Sequence, residues 1–147
     1  MPTHQNSGSS KLFALAASSV IVATFASLGM TSAAAATGRD LAAQSRSVDG
    51  VEVVVSGRAD TASTRISVQL TTHARELGQN LDASKLQAAT TKLKGAKWVG
   101  DPATGHHRSG TLTFQGRIPN GAPISLSLSG WNKPLVFRWR PNGQPLL

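Results

Sequence analysis

The stretch Thr64-Arg65-Ile66-Ser67-Val68-Gln69-Leu70-Thr71-Thr72 alternates polar and apolar side chains through Leu70. Successive side chains on a strand point to opposite faces, so this pattern describes a strand with one buried and one wetted side. The same period recurs on both sides of it. Val51, Val53 and Val55 alternate with Glu52, Val54 and Ser56, and Leu112 and Phe114 alternate with Thr111, Thr113 and Gln115. Further on, Ile124, Leu126 and Leu128 alternate with Ser125, Ser127 and Ser129, and Leu135, Phe137 and Trp139 oppose Val136, Arg138 and Arg140. Turn signals at 57–63, at Pro119-Asn120-Gly121 and at 130–134 separate these runs. Short alternating strands at this spacing predict a mainly β chain: an antiparallel sandwich, immunoglobulin-like or similar, with at most one short helix. The predicted core is Ile66, Val68, Leu70, Leu112, Phe114, Ile124, Leu126, Leu128, Leu135, Phe137 and Trp139.

The rhythm breaks over residues 77–99. Leu81, Leu86, Ala89 and Leu93 approximate a helical stripe, with Asp82 or Ser84 as N-cap and Gly95 as terminator. The β-branched pair Thr90-Thr91 opposes a helix, and Leu93-Lys94-Gly95-Ala96 offers a turn into a strand carrying Trp98. The expectation here is one short helix or turn followed by a strand. Trp98, Trp131 and Trp139 are read as packing residues, because an indole buries so much area. Trp131, following Gly130 in a turn, is expected to be the most exposed.

Ahead of the strands lies a targeting pattern. Lys11 forms a weak basic n-region, the stretch 12–28 is apolar and alanine-rich, and Ala34-Ala35-Ala36 fits a signal-peptidase site. Residues 1–36 are therefore expected to be a signal peptide, with a mature start near Thr37 and no transmembrane anchor after cleavage. The apolar stretch approaches the ~20 residues that span a bilayer, but it has no basic stop-transfer flank. Residues 37–50, polar and rich in small side chains, read as a flexible lead-in to a sandwich domain at 51–147. The mature protein is expected to be secreted or periplasmic. With no cysteine in the chain, disulfides and thiol chemistry are excluded, so stability must come from packing and backbone hydrogen bonds.

Fourteen of the fifteen Lys and Arg, and all seven Asp and Glu, follow residue 36, leaving a mature charge of +7. Such an excess favours anionic partners. The basic residues form no run, and no nucleic-acid reading motif accompanies them, so specific nucleic-acid binding is not expected. An anionic cell-envelope polymer or a partner protein docking on basic strands fits the composition better.

Three histidines remain beyond the leader. His73 follows the strand at 64–72, and His106 and His107 precede the strand at 111–115. Antiparallel pairing of those strands would set the three together at one end of the fold. Imidazoles suit zinc or copper, with Glu76 and Asp101 as further ligands or as hydrogen-bond supports for the rings. Adjacent residues on a strand face opposite ways, so His106 and His107 reach one ion only if the backbone is irregular there. Catalytic patterns are incomplete. His73-Ala74-Arg75-Glu76 lacks a second helical His, and no G-x-S-x-G elbow is present. The expected function is thus a non-catalytic exported binding domain with a histidine-lined site for a divalent transition metal. The alternative is a structural or interaction module of the envelope.

Several short motifs occur in order: Thr72-His73-Ala74, Glu76-Leu77, Trp98-Val99-Gly100, Gly105-His106-His107-Arg108-Ser109-Gly110-Thr111-Leu112-Thr113-Phe114 and Phe137-Arg138-Trp139. Over residues 64–140 this order resembles a family of exported, uncharacterised β-domains with T-H-S, W-x-G, G-H-H-x-x-G-x-L-x-F and F-x-W motifs. Ala74 stands for the usual Ser and Asn80 for the usual Asp, which weakens any acidic cluster. The resemblance implies a shared β-fold and a shared histidine end.

Overall fold

The computed structural model describes residues 38–146; the expected signal peptide at 1–36 lies outside the described residues. Nine strands and no helix make up the described chain: β1 (Arg39–Val48), β2 (Val51–Ala59), β3 (Ser63–Thr72), β4 (Lys85–Ala88), β5 (Thr91–Lys92), β6 (Lys94–Gly100), β7 (His107–Gln115), β8 (Ile124–Leu128) and β9 (Leu135–Trp139). They form two packed sheets, one of five strands in the order β1-β2-β3-β7-β6 and one of four in the order β5-β4-β8-β9. Every pairing between strands is antiparallel. Three consecutive strands share the first sheet, whereas an immunoglobulin domain sends its third strand to the other sheet.

The core lies where the alternation predicts. Val51, Val53, Val55, Ile66, Val68, Leu70, Leu112 and Phe114 face inward from the five-stranded sheet, and Ile124, Leu126, Leu128, Phe137 and Trp139 from the other. Each fully buried side chain of this size stabilises the fold by about 1.5–3 kcal/mol relative to exposure. Leu135 alone of the predicted core is only half-buried.

The segment expected to be a flexible lead-in is instead the edge strand β1 and its turn. Asp49 and Gly50 both take positive φ, 49° and 74°, which is the two-residue hairpin geometry that Asp-Gly favours. A bulge between Leu41 and Gln44 breaks the alternation of this strand, so its sequence does not show the strand period. The bulge is tied down: the Trp139 indole Nε1 donates to the Ala42 carbonyl at 2.8 Å, and the Ala42 amide donates to Gly143 at 2.9 Å.

Residues 77–99 contain no helix. Lys85, Leu86, Gln87 and Ala88 alternate exposed and buried in β4, while Leu77 and Leu81 anchor the preceding loop in the core. The apparent stripe thus combined a short strand with loop anchors. Asp82 caps no helix; its Oδ1 accepts the Trp98 backbone amide at 2.9 Å, just past the irregularity between Lys94 and Lys97 in β6. The expected strand carrying Trp98 is present as β6.

Candidate functional site

The pairing of β3 with β7 sets Thr71 opposite His107, and the Thr72 amide donates to the His106 carbonyl at 2.9 Å. The three histidines are therefore backbone neighbours at one pole of the sandwich. All three are exposed. His107 Nδ1 lies 3.3 Å from Thr71 Oγ1, on the outer face of the sheet. Among the described residues, no three His, Asp or Glu side chains are grouped so that they could hold a metal ion.

Asp101 acts within the protein's own framework. Its Oδ2 accepts the Ser109 amide at 2.8 Å and the Ser109 hydroxyl at 3.0 Å, and these bonds hold its carboxyl below the ordinary carboxylate range. Its carbonyl accepts the Trp98 Nε1 at 3.0 Å and the Arg108 Nε at 3.1 Å. Glu76 is exposed in the loop after β3.

The densest polar arrangement of this region centres on Arg108, whose role the sequence reading missed. Arg108 is 5% exposed and its guanidinium lies 4.8 Å from the Trp98 ring centroid. Its Nη1 donates to the Gln79 carbonyl, linking β7 to the loop before β4. Burial lowers its pKa, a shift opposed by the nearby charges of Asp82 and Asp101. The signal was present: Arg108 is in phase with Gly110, Leu112 and Phe114, so β7 turns it toward the interior. Gly110 makes room for the indole, because a Cβ there would come within 2.6 Å of Trp98 Cζ2. Arg108 and Gly110 of the motif Gly105-His106-His107-Arg108-Ser109-Gly110 thus form a packed stack with Trp98 of β6.

Beside this stack a shallow cleft of about 600 Å³ is bordered by Arg75, Glu76, Asn80, Trp131 and Asn132. Gln79 Oε1 and Trp131 Nε1 in its walls are buried without a partner among the described residues. They are one acceptor and one donor, groups that water or a hydroxyl can satisfy.

The outer face of the four-stranded sheet has a different character. Registers Gln87↔Lys92, Gln87↔Ser125 and Ser125↔Arg138 place Lys92, Gln87, Ser125 and Arg138 in one row across all four strands. Three interstrand steps of ~4.8 Å put the backbones of Lys92 and Arg138, at its two ends, roughly 14 Å apart. Lys85 and Ser127 stand two residues along the same face. No Asp or Glu occurs in β4, β5, β8 or β9. On the five-stranded sheet, by contrast, Arg58 bonds Asp40 at 2.8 Å and Asp60 at 3.1 Å, and Arg65 bonds Asp60 at 3.2 Å. These are the ion pairs among the described residues, so Lys85, Lys92 and Arg138 have no carboxylate partner there. This asymmetry had a sequence signal, since no acid follows Asp101.

Comparison of the chain with protein-family models, with curated proteins and with solved structures found no match.

Proposed function

We propose that the protein is an extracytoplasmic binding module that docks a phosphate-bearing envelope polymer on the outer face of its four-stranded sheet. The observation that carries this reading is the acid-free row Lys92-Gln87-Ser125-Arg138, flanked by Lys85, in which no cation pairs with a carboxylate among the described residues. Cations already neutralised by neighbouring acids contribute little to an anionic partner, whereas unpaired ones attract it across about one Debye length, ~8–10 Å. The serine hydroxyls and the Gln87 amide add donors for phosphate oxygens between the charges. The location outside the cytoplasm rests on the leader pattern at 1–36. The histidine pole supports metal binding less, because it supplies no three-donor group.

Retention on immobilised polyphosphate tests the reading. The parent should elute only at raised salt, and Lys85→Gln/Arg138→Gln should elute much earlier. Arg58→Gln/Arg65→Gln removes the same formal charge from paired sites and should elute near the parent. Equal loss by both double variants would reduce the effect to net charge and overturn the docking face, as would failure of the parent to be retained.

A further inference from the structure

At the pole opposite the histidines, Arg39 opens β1 and pairs with Ala59 at the end of β2. It lines a cleft of about 250 Å³ together with Asp60, Thr61, Arg117, Asn120 and Pro141. This is smaller than the roughly 300–1,000 Å³ of a drug-sized pocket, and suits a single small group. The guanidinium is anchored at one corner, where Nη1 donates to the Pro141 carbonyl at 2.6 Å. Its remaining edge is unused: Nε and Nη2 are both buried, and among the described residues neither has a partner.

Those two atoms are not an arbitrary pair. Their N–H bonds run parallel along one side of the planar guanidinium and match the two oxygens of a carboxylate or phosphate. Leaving charged donors buried and unbonded is costly, and here two are left so on one side chain. Burial lowers the pKa of Arg39, with no carboxylate to offset it. The acid bordering the cleft is already engaged, since Asp60 Oδ1 accepts from Arg58 at 3.1 Å and Oδ2 from Arg65 at 3.2 Å. Arg117, exposed on the loop between β7 and β8, adds a second cation.

We propose that the cleft between Arg39 and Arg117 binds a single oxyanion, a phosphate or carboxylate group, held side-on by Arg39 Nε and Nη2 and covered by Arg117. This site does not depend on the sheet face described above: either could bind with the other empty. Nε and Nη2 are closed off from solvent in this conformation, so the anion binds only when the cleft lining yields around them.

Inorganic phosphate and, separately, acetate titrated into the isotopically labelled protein test the proposal, read from the amide signals of 117–121 and the Arg39 Nε–H. Saturable shifts confined to these groups are expected. Arg39→Lys keeps the charge but loses the fork, and should weaken binding at least tenfold; Arg117→Gln should weaken it several-fold. Lys85→Gln/Arg138→Gln should bind like the parent here even though it loses polyphosphate retention. Tighter binding of phosphate identifies a phosphate group as the natural occupant, and tighter binding of acetate a carboxylate. Non-saturating shifts, shifts centred on the Lys85 and Arg138 face, or parent-like binding by Arg39→Lys would overturn the site. If Arg39→Lys fails to fold, unchanged binding by Arg117→Gln overturns it instead.

Discussion

The guanidinium of Arg108 lies 4.8 Å from the ring centroid of Trp98, and both side chains bond the carbonyl of Asp101. A cation 5% exposed is thereby held without an ion pair, by a π-face and two backbone carbonyls. The stack joins β6 and β7 to the loop before β4, so it fixes the chain that crosses between the two sheets.

Arg108→Lys should destabilise the fold by about 2 kcal/mol, because an ammonium cannot reproduce the planar stack and the two directed bonds. Trp98→Ala should cost about 3 kcal/mol through lost packing and an uncovered guanidinium. Urea unfolding of each single variant and of the double variant checks both. The double variant should cost less than the sum, since the two residues share one interaction.

Gly110→Ala adds only a methyl, yet its Cβ would meet Trp98 Cζ2 at 2.6 Å and the Val99 carbonyl oxygen at 2.6 Å. A loss of about 1–3 kcal/mol is expected from this overpacking. Tryptophan fluorescence should shift as the indole is displaced. An unchanged spectrum with parent stability would contradict the stack.

Asp101 ties folding to acid. Its folded-state pKa is depressed by the two bonds from Ser109, so the stability it confers is present above the unfolded value of about 3.9. That stability is lost as pH falls through the lower folded value. Urea midpoints between pH 5 and pH 2 should therefore fall more steeply in the parent than in Asp101→Asn.

Zinc and copper titrations of the parent, His73→Ala and His107→Ala should show weak and equal uptake. The three imidazoles are exposed, and among the described residues they belong to no group of three donors, the number a zinc site ordinarily draws from the protein. Strong uptake lost in both variants would establish a histidine metal site.

The mainly β architecture was legible because strand periodicity is local: each residue's face follows from its neighbours, so Ile66, Val68 and Leu70 or Ile124, Leu126 and Leu128 declare their burial in the sequence. The nearness of His73 to His106 and His107 also followed, since it needed only the antiparallel pairing of two recognised strands. The Asp49-Gly50 turn was a readable signal that the bulge in β1 obscured.

What the sequence alone determined about this protein is its strand content, its inward-facing core and its excess of positive charge. Only the tertiary structure decided what the polar side chains do with that framework. Lys92, Gln87, Ser125 and Arg138 share a row because β4 pairs with β8 across a long intervening chain. Arg39 keeps an unbonded edge among the described residues while Asp60, on the same cleft, bonds Arg58 and Arg65. Burial of an apolar side chain follows from local alternation, but the partners of a charge depend on which distant strands pair and in which register.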